Sequence, residues 1–296
     1  DSIHVIAYSV FTGNGSSVKV LTQYSIDGGK TYSKAKKVSE ELNTVTGVHL
    51  SYVPGKGISL TYRGSRDSTE TDAIVQAFSG NLARTWSKTN TVYEICPHDQ
   101  QASGTSARMF TFPWGADDGE RFWVFSADKV DPLTGERLAS QGICDQVAGA
   151  PPGTYPGVSR IVGMSSLDGK NWFGSAENPD EPFILDFNMG AGYQMFPFSQ
   201  GVKNRVDIAW WDTREEDEAL RPLPAGEELP LIYDYMSGIS RIFRKASIYM
   251  TRISGCKNTT AQGACTPRLP TDDFLSPVRV SRYQTAFLNG VLQEVD

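Results

Sequence analysis

Charged and polar side chains that could bind or cleave a ligand stand at or just beyond the ends of short apolar segments. The candidates are Arg63, Arg66, Asp67, His98, Asp128, Gln194, Asp212, Arg214 and Glu215. Arginine suits a carboxylate ligand, because its planar guanidinium group donates two parallel hydrogen bonds to the two oxygens. For any single residue a structural role is the plainer interpretation, since isolated charges are usually surface features and Asp212 with Arg214 could form a strand-end pair.

Four apolar segments must position most of these side chains. They cover residues 4–9, 58–63, 122–128 and 206–212, and they alternate β-branched and aromatic residues as strands do. The last three follow a turn rich in Gly, Asn or Asp that is itself preceded by a short strand, which predicts a hairpin. A further strand follows at residues 18–24, 73–78, 160–164 and 247–253. The sequence therefore repeats one small β unit.

A polar octet follows this further strand in three of the four units. The copies contain Ser25, Asp27, Gly29, Thr31 and Tyr32, then Ser79, Asn81, Thr85 and Trp86, then Ser166, Asp168 and Trp172. In such a turn the acid or amide side chain can accept backbone N–H bonds, and glycine supplies a positive φ. The aromatic residue can pack between neighbouring sheets. We therefore predict a structural role for these residues.

The octets resemble the Asp-box, Ser-x-Asp-x-Gly-x-Thr-Trp, of bacterial-neuraminidase-repeat propellers in the sialidase-like superfamily. The first copy matches well, the second lacks the glycine, and the third is one residue shorter. The resemblance implies an all-β fold, a β-propeller of four-stranded antiparallel blades, with the boxes on the face opposite the ligand-binding face. We predict one domain over residues 1–296, with about four blade units at 1–47, 48–105, 106–191 and 192–283, and with 284–296 starting or closing a blade.

The number of units leaves two interpretations open. The chain opens on a second strand and ends on a fourth strand followed by a first, and such terminal strands could pair to close a four-bladed ring. Asp-box propellers usually have six or more blades, so the chain could instead be part of a six- or seven-bladed propeller. We favour the part over the closed ring.

The four cysteines indicate the cellular compartment of the protein. Four cysteines allow three pairings, and the propeller topology that the resemblance implies favours Cys96–Cys144 and Cys256–Cys265, because any other pairing would join opposite faces. Two disulfides indicate an oxidising compartment, so we expect an extracellular, cell-surface or periplasmic location. The apolar runs are far shorter than the roughly 20 residues that span a bilayer, so we expect no transmembrane segment.

Composition and spacing argue against several other classes of function. The net charge of −6 argues against a nucleic-acid partner, because such affinity comes from clustered Lys and Arg. We expect no cofactor and no metal site. A calcium site in residues 128–136, which carry several oxygen ligands, ranks third among the hypotheses because their spacing is not that of a recognised loop.

Two long connections carry the functional prediction. Residues 129–159 and 213–239 join second to third strands, which in a propeller places both on the face opposite the boxes. Loops of this length are usually functional. We predict an exported, non-catalytic propeller that binds a protein or glycan partner through this face, or a subunit of a surface assembly.

The alternative is a sialidase-like glycoside hydrolase. The resemblance implies three arginines that bind the substrate carboxylate, here Arg63 or Arg66 with Arg121 and Arg214. It also implies a tyrosine nucleophile, Tyr233 or Tyr235, assisted by a glutamate. The sequence departs from that family, since no Arg-Ile-Pro motif stands at its start and no Glu/Tyr pair can be placed. The enzyme therefore ranks second.

Overall fold

A computed structural model shows the arrangement of the repeated units. It describes residues 2–11, 18–40, 44–65, 72–96, 111–131, 135–140, 142, 158–174, 178–186, 194–212, 214, 245–254, 277–281, 284–288 and 291–295. All named elements in these ranges are β-strands. Within the same ranges, no helix has the length and apolar character needed to cross a membrane.

The strands form four antiparallel sheets in chain order. The first contains β1 (His4–Phe11), β2 (Val18–Ser25) and β3 (Lys36–Lys37). The second contains β4 (Thr44–Val53), β5 (Gly57–Ser65), β6 (Ala73–Ser79) and β7 (Asn90–Glu94). The third contains β8 (Trp114–Asp117), β9 (Phe122–Val130), β10 (Val158–Ser166) and β11 (Phe183–Ile184).

The fourth sheet is the largest. It contains β12 (Gln194–Val202), β13 (Arg205–Asp212), β14 (Lys245–Ser254) and β15 (Val278–Arg279), and the hairpin of β16 (Gln284–Leu288) and β17 (Val291–Val295) joins it where β16 pairs with the start of β14. Among the described strands, β1 pairs with β2 alone and β17 with β16 alone. The prediction of an all-β propeller with about four blade units is confirmed.

Buried side chains between successive sheets hold the blades together. Val20 of the first sheet packs with Leu60 and Tyr62 of the second, and the core between the second and third sheets includes Ile74 and Val124. The core strands read as nearly continuous apolar runs because both sheet faces are covered, as β9 shows with eight of its nine residues buried. Burial on both faces therefore explains the absence of a polar side on β9.

The order of the strands defines two opposite faces. The β4–β5, β8–β9 and β12–β13 turns and the three octets lie at one end of the strands, which we call the turn face. The connections from Val130 to Val158 and from Asp212 to Lys245 leave from the other end, which we call the long-loop face. The innermost strands β4, β8 and β12 lie next to one another, so three blades present a common inner surface.

Candidate functional site

The candidate residues at the long-loop ends of the second strands are buried and paired. Arg63 on β5, Asp128 on β9 and Asp212 on β13 are all almost fully buried. Each takes part in a hydrogen-bonded ion pair, which we call a clamp. A buried charge is tolerated only when it is paired, so these clamps are what permits charged residues at the ends of core strands.

The first clamp centres on Asp128. Its Oδ1 accepts the backbone N–H of Cys96 at 2.7 Å and that of Lys129 at 2.8 Å, and its Oδ2 accepts Arg137 Nε at 2.7 Å. Arg137 also donates to Glu181 and to the carbonyl of Glu94. Since Cys96 and Glu94 end the second sheet and Asp128 ends β9, the clamp joins the second blade to the third.

The second clamp centres on Arg214. Its Nη2 donates to Asp212 Oδ2 at 2.5 Å and to Asp186, and its guanidinium lies 4.1 Å above the ring of Tyr249. Gln194 donates to Asp186 Oδ2 at 2.9 Å from its Nε2. Burial alone would lower the pKa of Arg214, but Asp212 and Asp186 raise it above its usual value. This clamp joins the third blade to the fourth and holds the arginine permanently charged.

The third clamp pairs Arg63 with Asp72. Arg63 Nε donates to Asp72 Oδ2 at 2.9 Å, and its Nη1 reaches the carbonyl oxygen of Thr111 at 3.4 Å. Thr111 leads into β8 of the next blade, so this arginine also crosses a blade boundary. The clamped side chains bridge neighbouring blades at each of the three positions.

Several of the predicted site residues lie outside the described residues. They are Arg66, Asp67, His98 and Glu215, together with Tyr233 and Tyr235 of the enzyme hypothesis. Cys96 is buried and disulfide-bonded. Its predicted partner Cys144 and the pair Cys256 and Cys265 also lie outside the described residues, so both pairings stay predictions.

The three arginines of the enzyme hypothesis do not share a face. Arg121 immediately precedes β9 at the turn face, whereas Arg63 and Arg214 lie at the long-loop ends of their strands. The nine-residue strand β9 spans about 30 Å at about 3.3 Å per residue. Burial lowers the pKa of Arg121, which is almost fully buried. Arg121 therefore does not converge with Arg63 and Arg214 on one carboxylate.

The three octets form closely similar turns at the turn face. Asp27 Oδ1 accepts the N–H of Thr31 at 2.9 Å, Asn81 Oδ1 that of Thr85 at 2.8 Å, and Asp168 Oδ1 that of Asn171 at 2.8 Å. The serine that opens each octet also accepts a backbone N–H, as Ser25 does from Gly29 at 2.9 Å. Hydrogen bonds from Thr31 and Ser25 lower the pKa of Asp27 well below its usual range. These side chains replace backbone partners inside the turns.

The octets also bind neighbouring blades to each other. Trp86 Nε1 donates to Thr22 Oγ1 of the first sheet at 2.9 Å. Gln76 Nε2 of the second sheet donates to the carbonyl of Gly169 in the third octet at 2.7 Å, and Trp172 is buried among residues of both sheets. Tyr32 of the first octet is 40% exposed. The aromatic position thus packs between blades in two of the three copies.

A row of aromatic rings crosses the innermost strands. The ring centroids of His49 on β4 and Trp114 on β8 are 4.7 Å apart, and those of Trp114 and Phe198 on β12 are 5.0 Å apart. His49 and Phe198 each follow a bulge, where Gly47 and Phe196 have positive φ. Phe198 is 46% exposed, so the row ends at a ring that a ligand can reach.

The clamp partners Asp72, Arg137, Glu181 and Asp186 were not singled out from the sequence. Asp186 had a recognisable signal, since it follows the apolar run 183–185 as Asp128 follows 122–127. Arg137 had none, because it lies in a polar connection. In the segment proposed for calcium, the carboxylate of Asp128 is taken by Arg137, and the N–H of Asp131 bonds the carbonyl of Glu136 at 2.7 Å. In the part of the chain that the structure describes, no three His, Cys, Asp or Glu residues are grouped as a metal site would require.

Comparison with known proteins gives structural neighbours only. No family model and no curated protein matches the sequence. Among solved structures, a GH93 α-L-arabinofuranosidase of Fusarium graminearum is 12% identical over 87% of this chain and 63% of its own, with a TM-score of 0.41. An ulvan lyase of polysaccharide lyase family PL25 is 11% identical over 95% and 56%, with a TM-score of 0.49.

A third neighbour is the Hadza microbial sialidase Hz136, 12% identical over 80% of this chain and 43% of its own, with a TM-score of 0.39. This chain spans less than two thirds of the length of each of these three proteins. Identities this low concern the fold alone, and the propeller assignment stands on the four sheets described above.

Proposed function

We propose that this chain is the binding domain of an exported Asp-box propeller, a single domain over residues 1–296, that holds a glycan against its long-loop face without cleaving it. The observation that carries the proposal is the commitment of the charged residues at that face to clamps. Asp72 receives Arg63, Asp128 receives Arg137, and both Asp186 and Asp212 receive Arg214.

Each clamped carboxylate already accepts an arginine N–H inside the protein. A glycosidase needs a carboxyl group that holds a proton near neutral pH, usually beside a second group that attacks or activates water. In each clamp the carboxylate oxygens face an arginine side chain, so a glycosidic oxygen could reach them only by displacing that arginine. This supports a binding role over the sialidase-like alternative.

The aromatic row supports a glycan as the partner. His49, Trp114 and Phe198 lie on the three innermost strands, near the middle of the inner surface between the two faces. Aromatic rings offer a flat apolar surface with little entropy to lose, which suits the apolar face of a sugar ring. The disulfide bond of Cys96 supports export, because disulfides persist in oxidising compartments.

The test is binding of the full chain to an oligosaccharide array, followed by titration of one retained oligosaccharide. We expect Phe198→Ala to weaken binding at least tenfold. Tyr32→Ala is the matched control, since Tyr32 is a similarly exposed ring in an octet at the turn face, and it should bind as the wild type does. Equal affinity of Phe198→Ala and wild type would contradict the proposal.

A second assay separates binding from cleavage. The wild-type chain should release no fluorophore from a panel of fluorogenic sialosides and arabinofuranosides. Release that survives purification to homogeneity would favour the glycoside hydrolase instead. Failure to retain any oligosaccharide, together with capture of a protein from the same surface, would replace the glycan by a protein partner.

A further inference from the structure

We infer that a second ligand site lies at the turn face, where the β4–β5, β8–β9 and β12–β13 turns surround a cavity of about 420 Å³, and that it takes a single neutral sugar ring. The cavity is lined by Tyr52, Pro54, Asp117, Glu120, Lys203 and Asn204. Its volume falls within the range of about 300–1,000 Å³ usual for small-molecule sites. The inference does not depend on the function proposed for the long-loop face.

The walls of this cavity are fixed by hydrogen bonds between the three turns. Lys56 Nζ in the first turn donates to the carbonyl of Glu120 at 2.6 Å, and the backbone N–H of Asn204 in the third turn donates to the carbonyl of Asp118 at 2.8 Å. A Cβ at Gly201 would collide with the carbonyl oxygen of Asp117, so the third turn can approach only with glycine there. The cavity is therefore formed before any ligand arrives.

The floor of the cavity is apolar and accessible. Tyr52 on β4 is 46% exposed and Val202 on β12 is 43% exposed, and both line the cavity. Asn204 has φ +64°, which the two-residue turn between β12 and β13 requires and which asparagine tolerates. An exposed tyrosine beside an aliphatic side chain offers the flat surface on which a sugar ring can stack.

The rim of the cavity mixes hydrogen-bond donors and acceptors. Asp117 and Glu120 supply carboxylate acceptors, Lys203 supplies an ammonium donor, and the Asn204 amide can do both. A hydroxyl group also donates and accepts, whereas a simple anion or cation would use only half of these groups. Burial raises the pKa of Asp117, so a hydroxyl that donates to this carboxylate would relieve part of its desolvation. This mixture suits a neutral polyhydroxyl ring better than an ion.

The cavity is far enough from the long-loop face for separate measurement. Asp117 pairs with Phe122, and Val130 lies eight residues further along β9. At about 3.3 Å per residue the two faces are about 26 Å apart. Phe198, the ring that tests the proposed function, lies four residues before Val202 on β12, about 13 Å from it, so a single sugar ring in the cavity does not span both.

The experiment uses saturation-transfer NMR with the full chain and the methyl glycosides of glucose, galactose and mannose, tested singly. We expect at least one glycoside to receive saturation from the wild type. Tyr52→Ala and Asp117→Asn should lose at least four fifths of that signal. Tyr32→Ala should keep it, since Tyr32 is a similarly exposed tyrosine outside the cavity. Urea midpoints measured in parallel show whether each variant is folded.

Three outcomes would overturn the inference. They are the absence of transfer to all three glycosides, an unchanged signal in folded Tyr52→Ala, and loss of the signal in Phe198→Ala instead, which would place the sugar on the aromatic row. The oligosaccharide array tests the proposed function independently of this cavity. Tyr52→Ala should retain oligosaccharides as the wild type does, so either site can fail while the other stands.

Discussion

The backbone N–H of Cys96 donates to Oδ1 of Asp128 over 2.7 Å, across the boundary between the second and third blades. The other oxygen of this fully buried carboxylate accepts Arg137 Nε. A disulfide-bonded cysteine, a buried acid and an arginine thus meet at one point of the long-loop face. Because the Asp128 carboxylate already accepts these protein N–H groups, a ligand at this point would contact the residues around it.

Removal of the Asp128 carboxylate should destabilise the fold. Asp128→Ala removes the carboxylate that pairs with the buried Arg137 and accepts the N–H groups of Cys96 and Lys129, and breaking such a pair from one side costs about 3–5 kcal/mol. Asp128→Asn keeps an acceptor for the N–H groups, so we expect a smaller loss. Urea unfolding of the full chain measures both, with the exposed Asp180→Ala as control. A loss in Asp128→Ala no larger than in Asp180→Ala would contradict the clamp.

Gly169 and Gly55 give a matched test of how the octet packs against the next blade. Both have positive φ, +70° and +78°. A Cβ at Gly169 would lie 2.5 Å from Cδ2 of Phe78, whereas a Cβ at Gly55 would meet nothing within 4 Å. Gly55→Ala should therefore cost only the backbone strain of about 1–2 kcal/mol.

Gly169→Ala should cost about 1–3 kcal/mol more than Gly55→Ala, because overpacking adds to the strain. Thermal unfolding of both variants beside the wild type gives the comparison. Equal unfolding midpoints would show that Phe78 can move aside, and the octet would then not fix the spacing of the blades.

The strands and the three octets could be predicted because their signals are local. The alternation of β-branched and aromatic residues over 122–128 matches β9. The hydrogen bond from the Thr31 N–H to Asp27 joins residues only four positions apart. The clamps could not be predicted in the same way. Arg214 meets Asp186 across 28 positions and a blade boundary, and neither the pattern of Asp186 nor that of Arg214 specifies the partner.

The sequence therefore predicted where the candidate residues lie, but not what their side chains do. The sequence placed Arg63, Asp128 and Asp212 at strand ends of one face, and the structure brings each to a pairing partner instead of to a common centre. Whether a charge at a strand end faces a partner or a ligand depends on the neighbouring blade. The cavity at Tyr52 had no sequence signal, because three turns from three blades form it.

The disulfide pairing has a direct chemical test. Digestion of the unreduced chain followed by mass spectrometry should yield a peptide that links Cys96 to Cys144 and another that links Cys256 to Cys265. Cys96 is buried beside Leu138 and Ala139, which directly follow Arg137. Cys96 therefore lies near the start of the connection that carries Cys144. A peptide that links Cys96 to Cys256, or a free thiol on any cysteine, would contradict the pairing.

His49 should make the stability of the fold depend on pH. Burial against Trp114 lowers its pKa to about 4 from 6.5, because the charged imidazolium would lose its water. Between these values the unfolded chain binds a proton that the folded chain does not, so stability rises with pH through this window. The loss between pH 7.5 and pH 5 should be about 2 kcal/mol from this residue alone.

His49→Phe keeps a ring on Trp114 and removes the titrating group, so its urea midpoint should fall less than that of the wild type between the same two pH values. His4→Gln is the control, since it replaces an exposed histidine away from Trp114 and is measured at the same two pH values. Carboxylates contribute equally to all three chains, which is why the difference between variants carries the test. Parallel pH profiles for His49→Phe and wild type would mean that His49 is solvated in the folded protein, and that the inner surface beside Trp114 is open to water.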